Sequence, residues 1–420
     1  PEQTNWYPSD VRFILVVLVV GAVVVTLAIL GFKRLAQFAE VCSPWMLLMF
    51  VIGAVVMLPM LADKVLGRPI ANWHDFWEIS NKSIWTGVQP DGGVPIGLWH
   101  IAAFAWICNL AMHMGLADMA LLRYAKKASY GFYSAFGMFL GHYLAWVCAG
   151  VMGAAAAIVV GKSISNMDAG GVAWQALGFA GIIAVILAGW TTSNPTLYRA
   201  GLAFQAITPG WPRWLVTMIT GIITTIIACF PFVFTKLLNF VGLYGLLLMP
   251  VGIIVFVEHW IFPKIGLARY WAARKNLMLN WPALASWFIA VAVALFLERT
   301  GRLHLFFLFI PTSILTAVLY ILFSAFAGAR EQLPELAEQH VGSRTAAEIP
   351  PIIRPVDIKT WVWGIIAAIT LIICTILSIW VYLSPPDAYE RNFLTFKSLL
   401  MWPTILYFIS ATAWAIRHEK

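Results

Sequence analysis

Runs of about twenty apolar residues, each long enough to cross a hydrocarbon core of roughly 30 Å as a helix, recur along the whole chain between short polar stretches. The pattern predicts eleven spans, at residues 11–30, 41–61, 96–116, 132–160, 177–206, 214–232, 238–262, 282–297, 306–327, 362–383 and 399–416. No polar segment between them is long enough for a soluble domain of useful size. The chain is therefore expected to be all-α, a polytopic membrane protein. The first run lacks a small-residue cleavage pattern and is as long as a span, so it reads as a span and not as a signal peptide.

Composition agrees. Of the 420 residues, 61% are hydrophobic and 11% charged, a balance that in a soluble domain would expose large apolar patches. The net charge of +8 is spread over short loops with no basic helix, so nucleic acid is not an expected partner and the lipid bilayer is. Most Lys and Arg fall in the connections after odd-numbered spans and in the C-terminal tail, among them Lys33, Arg34, Arg123, Lys126, Lys127, Lys264, Arg269, Arg274 and Lys275. The positive-inside rule then places the C-terminus in the cytoplasm and residue 1 on the outer side of the cell (inner) membrane. An odd number of spans ahead of residue 1 is expected on that reading; a chain that simply starts outside is the alternative. Cys42, Cys108, Cys148, Cys229 and Cys374 lie in or beside separate spans, with no metal or disulfide spacing.

Two connections stand out. Residues 62–95, with Trp73, Trp77 and Trp85, read as an outer amphipathic stretch, either an interfacial anchor or a gate. Residues 328–355, with Glu331, Glu335 and Glu338 before Pro350 and Pro351, read as a solvated cytoplasmic linker.

The fifth span is interrupted by "AGWTTSNPTLYRAGLAF", residues 188–204. Pro195 has no amide hydrogen, and its ring clashes with the carbonyl of Thr191. Ala188, Thr191, Thr192 and Pro195 share one helical face, which offers two hydroxyls beside weakened carbonyls. These are hard, neutral oxygens that suit an alkali cation. Alternatively the hydroxyls bond back to the preceding turn and merely bend the helix. With Ser193 and Asn194 adjoining, the expectation is a helix that unwinds to form a site, as in secondary transporters.

The stretch "WTTSNPTLYRAGLAFQAIT", residues 190–208, resembles the eighth helix of the nucleobase–cation symporter family, the purine–cytosine permeases. Four further segments resemble family helices in the same order: "GFKRLAQFAEVCSPWMLL" (31–48), "GLADMALLRYAKKASYG" (115–131), "PVGIIVFVEHW" (250–260) and "NWPALASWF" (280–288). On this register the first span matches the family's fourth helix. The resemblance implies a leucine-transporter-type inverted-repeat fold. Residues 1–61 would be the last two helices of the first repeat, 62–95 the outer connection and 96–262 the second repeat. Residues 263–327 would be two following helices, 328–355 the linker and 356–420 two extra helices.

By position, the resemblance makes the Ala188 carbonyl and the Thr191 and Thr192 hydroxyls ligands of a coupling sodium ion. Three oxygens are too few to replace its hydration shell, so they would form only part of a site. A flat heterocyclic substrate would meet Trp106, Asn109 and His113 in the third span, with Ser193 and Asn194 in the fifth. Asn109 and His113 have an interhelical hydrogen bond as the alternative role. Asn194-Pro195 replaces a more acidic, proline-free pair, and Arg199 stands where relatives carry a small residue. Arg199 either snorkels to the headgroups or sets a fixed positive charge in the path. Glu258 matches an acidic family position and either couples protons or pairs with Lys264 or His259.

The function implied is import of a nucleobase, hydantoin or allantoin type of solute by sodium or proton symport, with no resident cofactor. The alternatives are another cargo, such as a vitamin or acidic metabolite, and a non-transporting sensor. No span pairs His with Asp or Glu at metal-ligand spacing and no nucleophile has an evident base, so an enzyme is not expected.

Overall fold

The structure is a computed structural model that describes residues 10–85, 97–109, 118–164, 167–230, 237–331 and 358–418, with side chains at all but 107–109 and 237–239. Every regular element among them is helical. In chain order these are α1 (Val11–Leu30), α2 (Phe32–Leu66), α3 (Trp73–Ile79), α4 (Leu98–Asn109), α5 (Met119–Leu122) and α6 (Tyr130–Val160). Next come α7 (Ala169–Leu177), α8 (Phe179–Ile207), α9 (Arg213–Ala228), α10 (Leu237–Phe256), α11 (Trp271–Arg274) and α12 (Trp281–Arg299). The last are α13 (Phe309–Ser324), α14 (Ile358–Tyr382), α15 (Pro386–Leu399) and α16 (Met401–His418).

Among the described residues, eight helical stretches are long and apolar enough to cross a membrane. The protein is a polytopic helical membrane protein. The other three expected spans fall short for different reasons. Only twelve residues of α4 are described, α9 is a 16-residue apolar helix, and α8 is long enough at 29 residues but diluted by its polar centre. Several boundaries move, two of them for a readable reason. The second span begins directly after Gly31, because nothing in residues 32–40 breaks the helix. The fifth begins after Gly178, whose φ of 58° turns the chain between α7 and α8. The linker expected at 328–355 lies outside the described residues from 332 onward.

The chain divides into two compact units. One contains α4, α5 and α10 to α13; the other contains α1 to α3, α6 to α9 and α14 to α16.

In the second unit α2, 35 residues long, is the central post. Its buried Trp45, Met49, Ile52, Val56, Met57 and Leu61 pack against Ala154 to Ala156 of α6, Leu187 of α8 and Cys374 of α14. Small residues permit that approach: a Cβ on Gly53 would stand 2.3 Å from the Met152 sulfur. Helix ends meet as alternating spans require. Arg213, at the start of α9, donates to the Ala28 and Ile29 carbonyls that end α1, at 3.2 and 2.7 Å. The C-terminal turns of α2, α6 and α14, all even-numbered spans in the predicted order, border a common cavity.

The connection that follows α2 is tightly fixed. Asp75 caps the start of α3 and accepts a two-pronged pair of bonds from Arg68 at 2.7 and 2.8 Å, plus the backbone N–H of Ala71 at 2.7 Å. Bonds from Arg68 first, then from the Ala71 backbone, hold the Asp75 carboxyl well below the usual carboxylate range. Trp73, Trp77 and Trp85 remain exposed around it, as an interfacial anchor requires.

In the first unit Leu246, Ala294 and Leu308 form one buried cluster; Val257, Phe262, Trp271 and Tyr320 form another. Rings on α4 pair with the start of α13: His100 with His304, Phe104 with Phe306, and Trp106 with Phe309.

Four prolines lie inside long helices, Pro44 and Pro59 in α2, Pro195 in α8 and Pro250 in α10. A proline strips the donor from the carbonyl four residues back and strains the bond to the carbonyl three back. At all four, a side chain supplies a donor to the carbonyl three back. Tyr407 of α16 donates to Val41 at 2.8 Å, Tyr389 of α15 to Val56, Trp287 of α12 to Leu247 at 2.8 Å, and Thr196 to Thr192 at 2.8 Å. Three of the donors come from a neighbouring helix. Only the Pro195 break is closed from within its own helix.

Tyr389→Phe and Tyr407→Phe are each expected to lower unfolding stability by about 1 kcal/mol, the net worth of one buried hydrogen bond. Tyr382→Phe, which removes an exposed hydroxyl from the adjacent α14, is the neutral control. Denaturation of the purified variants checks both.

Candidate functional site

The polar run of the fifth span is helical throughout: α8 continues from Phe179 to Ile207 without interruption. The expected unwinding does not occur, and the hydroxyls explain why. Thr191 and Thr192 both donate to the Ala188 carbonyl at 3.1 Å, Ser193 donates to Gly189 at 2.7 Å, and Thr196 to Thr192. Each hydroxyl bonds a carbonyl one turn back and the helix stays closed through Pro195, although none of the four reaches the Thr191 carbonyl whose donor the proline removes.

The three oxygens assigned to a cation nevertheless converge, since both threonine hydroxyls sit within 3.1 Å of the Ala188 carbonyl oxygen. Thr192 is exposed at the side of α8, with Ala188 and Thr191 half-buried beside it. Every bond these oxygens make is internal to the helix. Turning the two hydroxyl hydrogens aside would present three neutral oxygen lone pairs without breaking any contact between helices.

Ser193 and Asn194 diverge by the helical step of 100°. Ser193 is exposed and bonded to its own helix. Asn194 is 1% exposed, among the buried residues of α8 with Leu187, Leu197 and Tyr198. Neither its Oδ1 nor its Nδ2 has a hydrogen-bond partner among the described residues, and one turn earlier the Trp190 Nε1 is likewise buried without one. A buried amide in that state costs about 1–3 kcal/mol, so Asn194 is there at the expense of stability. Arg199, half-buried, donates to the Thr196 hydroxyl at 3.1 Å, which keeps its charge beside the polar run.

The third-span residues belong to the other unit. Trp106 is 62% exposed, and its ring lies parallel to Phe309 with centroids 6.0 Å apart, so one face is already stacked. Asn109 ends α4, with its side chain outside the described atoms, and His113 lies outside the described residues.

Glu258 sits on a π-helical turn, Val257–Ile261, that extends α10. It pairs with neither Lys264 nor His259. Tyr320 donates to its Oε2 at 2.9 Å, Asn280 Nδ2 donates to the Tyr320 hydroxyl at 3.0 Å, and Asn280 Oδ1 caps α12 by accepting from Ala283 at 3.2 Å. His259 instead bonds the Tyr270 hydroxyl at 2.7 Å, a ring placed by a left-handed backbone at φ 52°. Glu258 is thus an intramembrane acid with neutral side-chain partners. Sequence reasoning missed Tyr320 and Asn280. Asn280 carries a readable signal, an N-cap residue two positions before Pro282; Tyr320 carries none.

His74, Asp75 and Glu78 also cluster, within 4.8 Å. Their carboxylates are already engaged, Asp75 by Arg68 and Glu78 by Lys82 at 2.6 Å, which leaves the group unsuited to a metal.

No family model matches the chain, and neither a curated protein nor a solved structure matches it.

Asn194→Leu, which fills the same space without an orphaned amide, is expected to raise the thermal unfolding midpoint of the purified protein. Asn194→Asp, which keeps the shape but buries a charge, is expected to lower it.

Proposed function

We propose that this protein is a secondary active transporter that imports a nucleobase or related flat heterocycle, of cytosine, purine, hydantoin or allantoin type, by cation symport. The observation that carries the reading is the cluster of the Ala188, Thr191 and Thr192 oxygens in the middle of a long helix, one turn from an orphaned buried asparagine. Membrane helices do not keep such costly groups where lipid and packing are the only demands. The ordered series of segments resembling the nucleobase–cation symporters supports the cargo, a leucine-transporter-type fold and placement in the cell membrane with the C-terminus inside. In the mechanism proposed, sodium takes the place of the hydroxyl hydrogens at these oxygens and stabilises the outward-open state. Substrate binding then closes the transporter around a base that stacks on aromatic rings and hydrogen-bonds through its rim.

Glu258 supports proton coupling as a second route, since protonation would let it bind its neutral partners without a buried charge. Arg199 supports a second cargo, an acidic heterocycle, because a fixed cation beside the polar run favours an anionic solute.

Uptake of labelled cytosine, hypoxanthine and allantoin into cells expressing the full-length protein, with and without sodium, tests the proposal; failure of all three to accumulate removes it. Thr191→Ala with Thr192→Ala is expected to weaken apparent sodium affinity about tenfold, the equivalent of roughly 1.4 kcal/mol. Under proton coupling the double variant transports normally, and Glu258→Gln abolishes the dependence of uptake on external pH.

A further inference from the structure

The cavity bordered by the C-terminal turns of α2, α6 and α14 has a volume of about 760 Å³, within the range of small-molecule sites. The amphipathic helix α15 closes it. Glu390, Phe393 and Lys397 lie on one face of α15, at i, i+3 and i+7, and all three line the cavity. Asp63 and Lys64, from the last turn of α2, line it from the other side.

The charges are balanced, two acids and two bases, but they do not neutralise one another. Asp63, Lys64 and Glu390 make no side-chain hydrogen bond or ion pair among the described residues. Lys397, half-buried, has its ammonium 4.8 Å from the centre of the Phe393 ring and no carboxylate partner. Asp63, Lys64 and Glu390 are exposed at the cavity wall and Lys397 is half-buried there, so all four charges stand open to a bound ligand. A ligand that carries both signs pairs all four.

Position selects the kind of ligand. The cavity opens where three membrane-crossing helices end, the boundary between hydrocarbon and water. Ile158, Val159 and Leu394 on its rim expose apolar surface. A soluble zwitterion would leave that rim uncovered, whereas an acyl chain would cover it. Carboxylates recognise N–H donors, which a primary ammonium has and a quaternary one lacks.

We propose that this cavity holds one zwitterionic phospholipid with a primary-ammonium headgroup, its phosphate between Lys64 and Lys397 and its ammonium between Asp63 and Glu390. The site is independent of the transport reading. Pro59 and Tyr389, the pair that closes the second break in α2, also line the cavity, so the bound lipid braces that bend from outside.

The test uses the purified full-length protein, delipidated in detergent, with phosphatidylethanolamine, phosphatidylcholine or soluble phosphoethanolamine added back. Bound lipid is counted by native mass spectrometry and stability followed by the thermal midpoint. The expected result is one retained phosphatidylethanolamine per chain, with an affinity about tenfold above that for phosphatidylcholine. Asp63→Asn with Glu390→Gln should erase that preference, and Lys397→Ala should weaken both lipids. Because Lys397 is half-buried and its variant can fail to fold, the double carboxylate variant decides the matter. Equal affinity for the two lipids, or a preference that survives the double variant, overturns the proposal. Equal stabilisation by soluble phosphoethanolamine also overturns it, in favour of a soluble effector.

Discussion

A backbone carbonyl inside a bilayer has no water to turn to, so the ladder beside a helix proline, where one donor is missing and the next bond is strained, draws on side-chain donors. That constraint organises this protein. In α2 the carbonyls three residues before Pro44 and Pro59 accept from tyrosines of α16 and α15, and in α10 the one three residues before Pro250 accepts from a tryptophan of α12. These three bends are fastened to neighbouring helices, and altering them would break contacts across the fold. They also give the last two helices a purpose: each supplies one hydroxyl that fixes a bend in the central post of its unit. The bend at Pro195 differs, because Thr196 closes it from inside α8. Its bonds can be exchanged without disturbing a neighbour.

The same segment holds a cluster of bonded oxygens beside an orphaned amide. Ala188, Thr191 and Thr192 bring three oxygens together through bonds that a cation can replace. Asn194, one turn further on, is buried with both amide atoms unpaired. The first unit has its own polar centre in Glu258, Tyr320 and Asn280, tied across α10, α13 and α12. One centre is built of neutral oxygens and the other around a carboxyl. On the proposed function, the first would hold the cation and the second would exchange a proton.

Much of the helical frame was legible in the chain, because apolar runs of fixed length are a direct consequence of bilayer thickness. Of the interior prolines, only Pro195 drew a reading from the sequence. The partners that close them were not: Tyr389 and Tyr407 stand more than 300 residues from Val56 and Val41, and nothing in local pattern links such positions. The polar run was correctly located yet wrongly pictured as unwound. Threonine and serine hydroxyls around a proline can bond carbonyls one turn back, and spacing alone does not say whether they turn inward to the ladder or outward to a ligand. Glu258 was singled out by its match to an acidic family position and as an acid near the end of an apolar span. Its real partner, Tyr320, comes from packing between helices.

Backbone hydrogen exchange at residues 188–196 of the full-length protein in lipid nanodiscs, in sodium and in a bulky cation too large to enter, tests the central claim most directly. A sodium ion held by the Ala188, Thr191 and Thr192 oxygens slows exchange across that segment, and the protection disappears when both hydroxyls are removed. Exchange that is the same in both salts, or sodium protection that persists without the hydroxyls, would contradict the account.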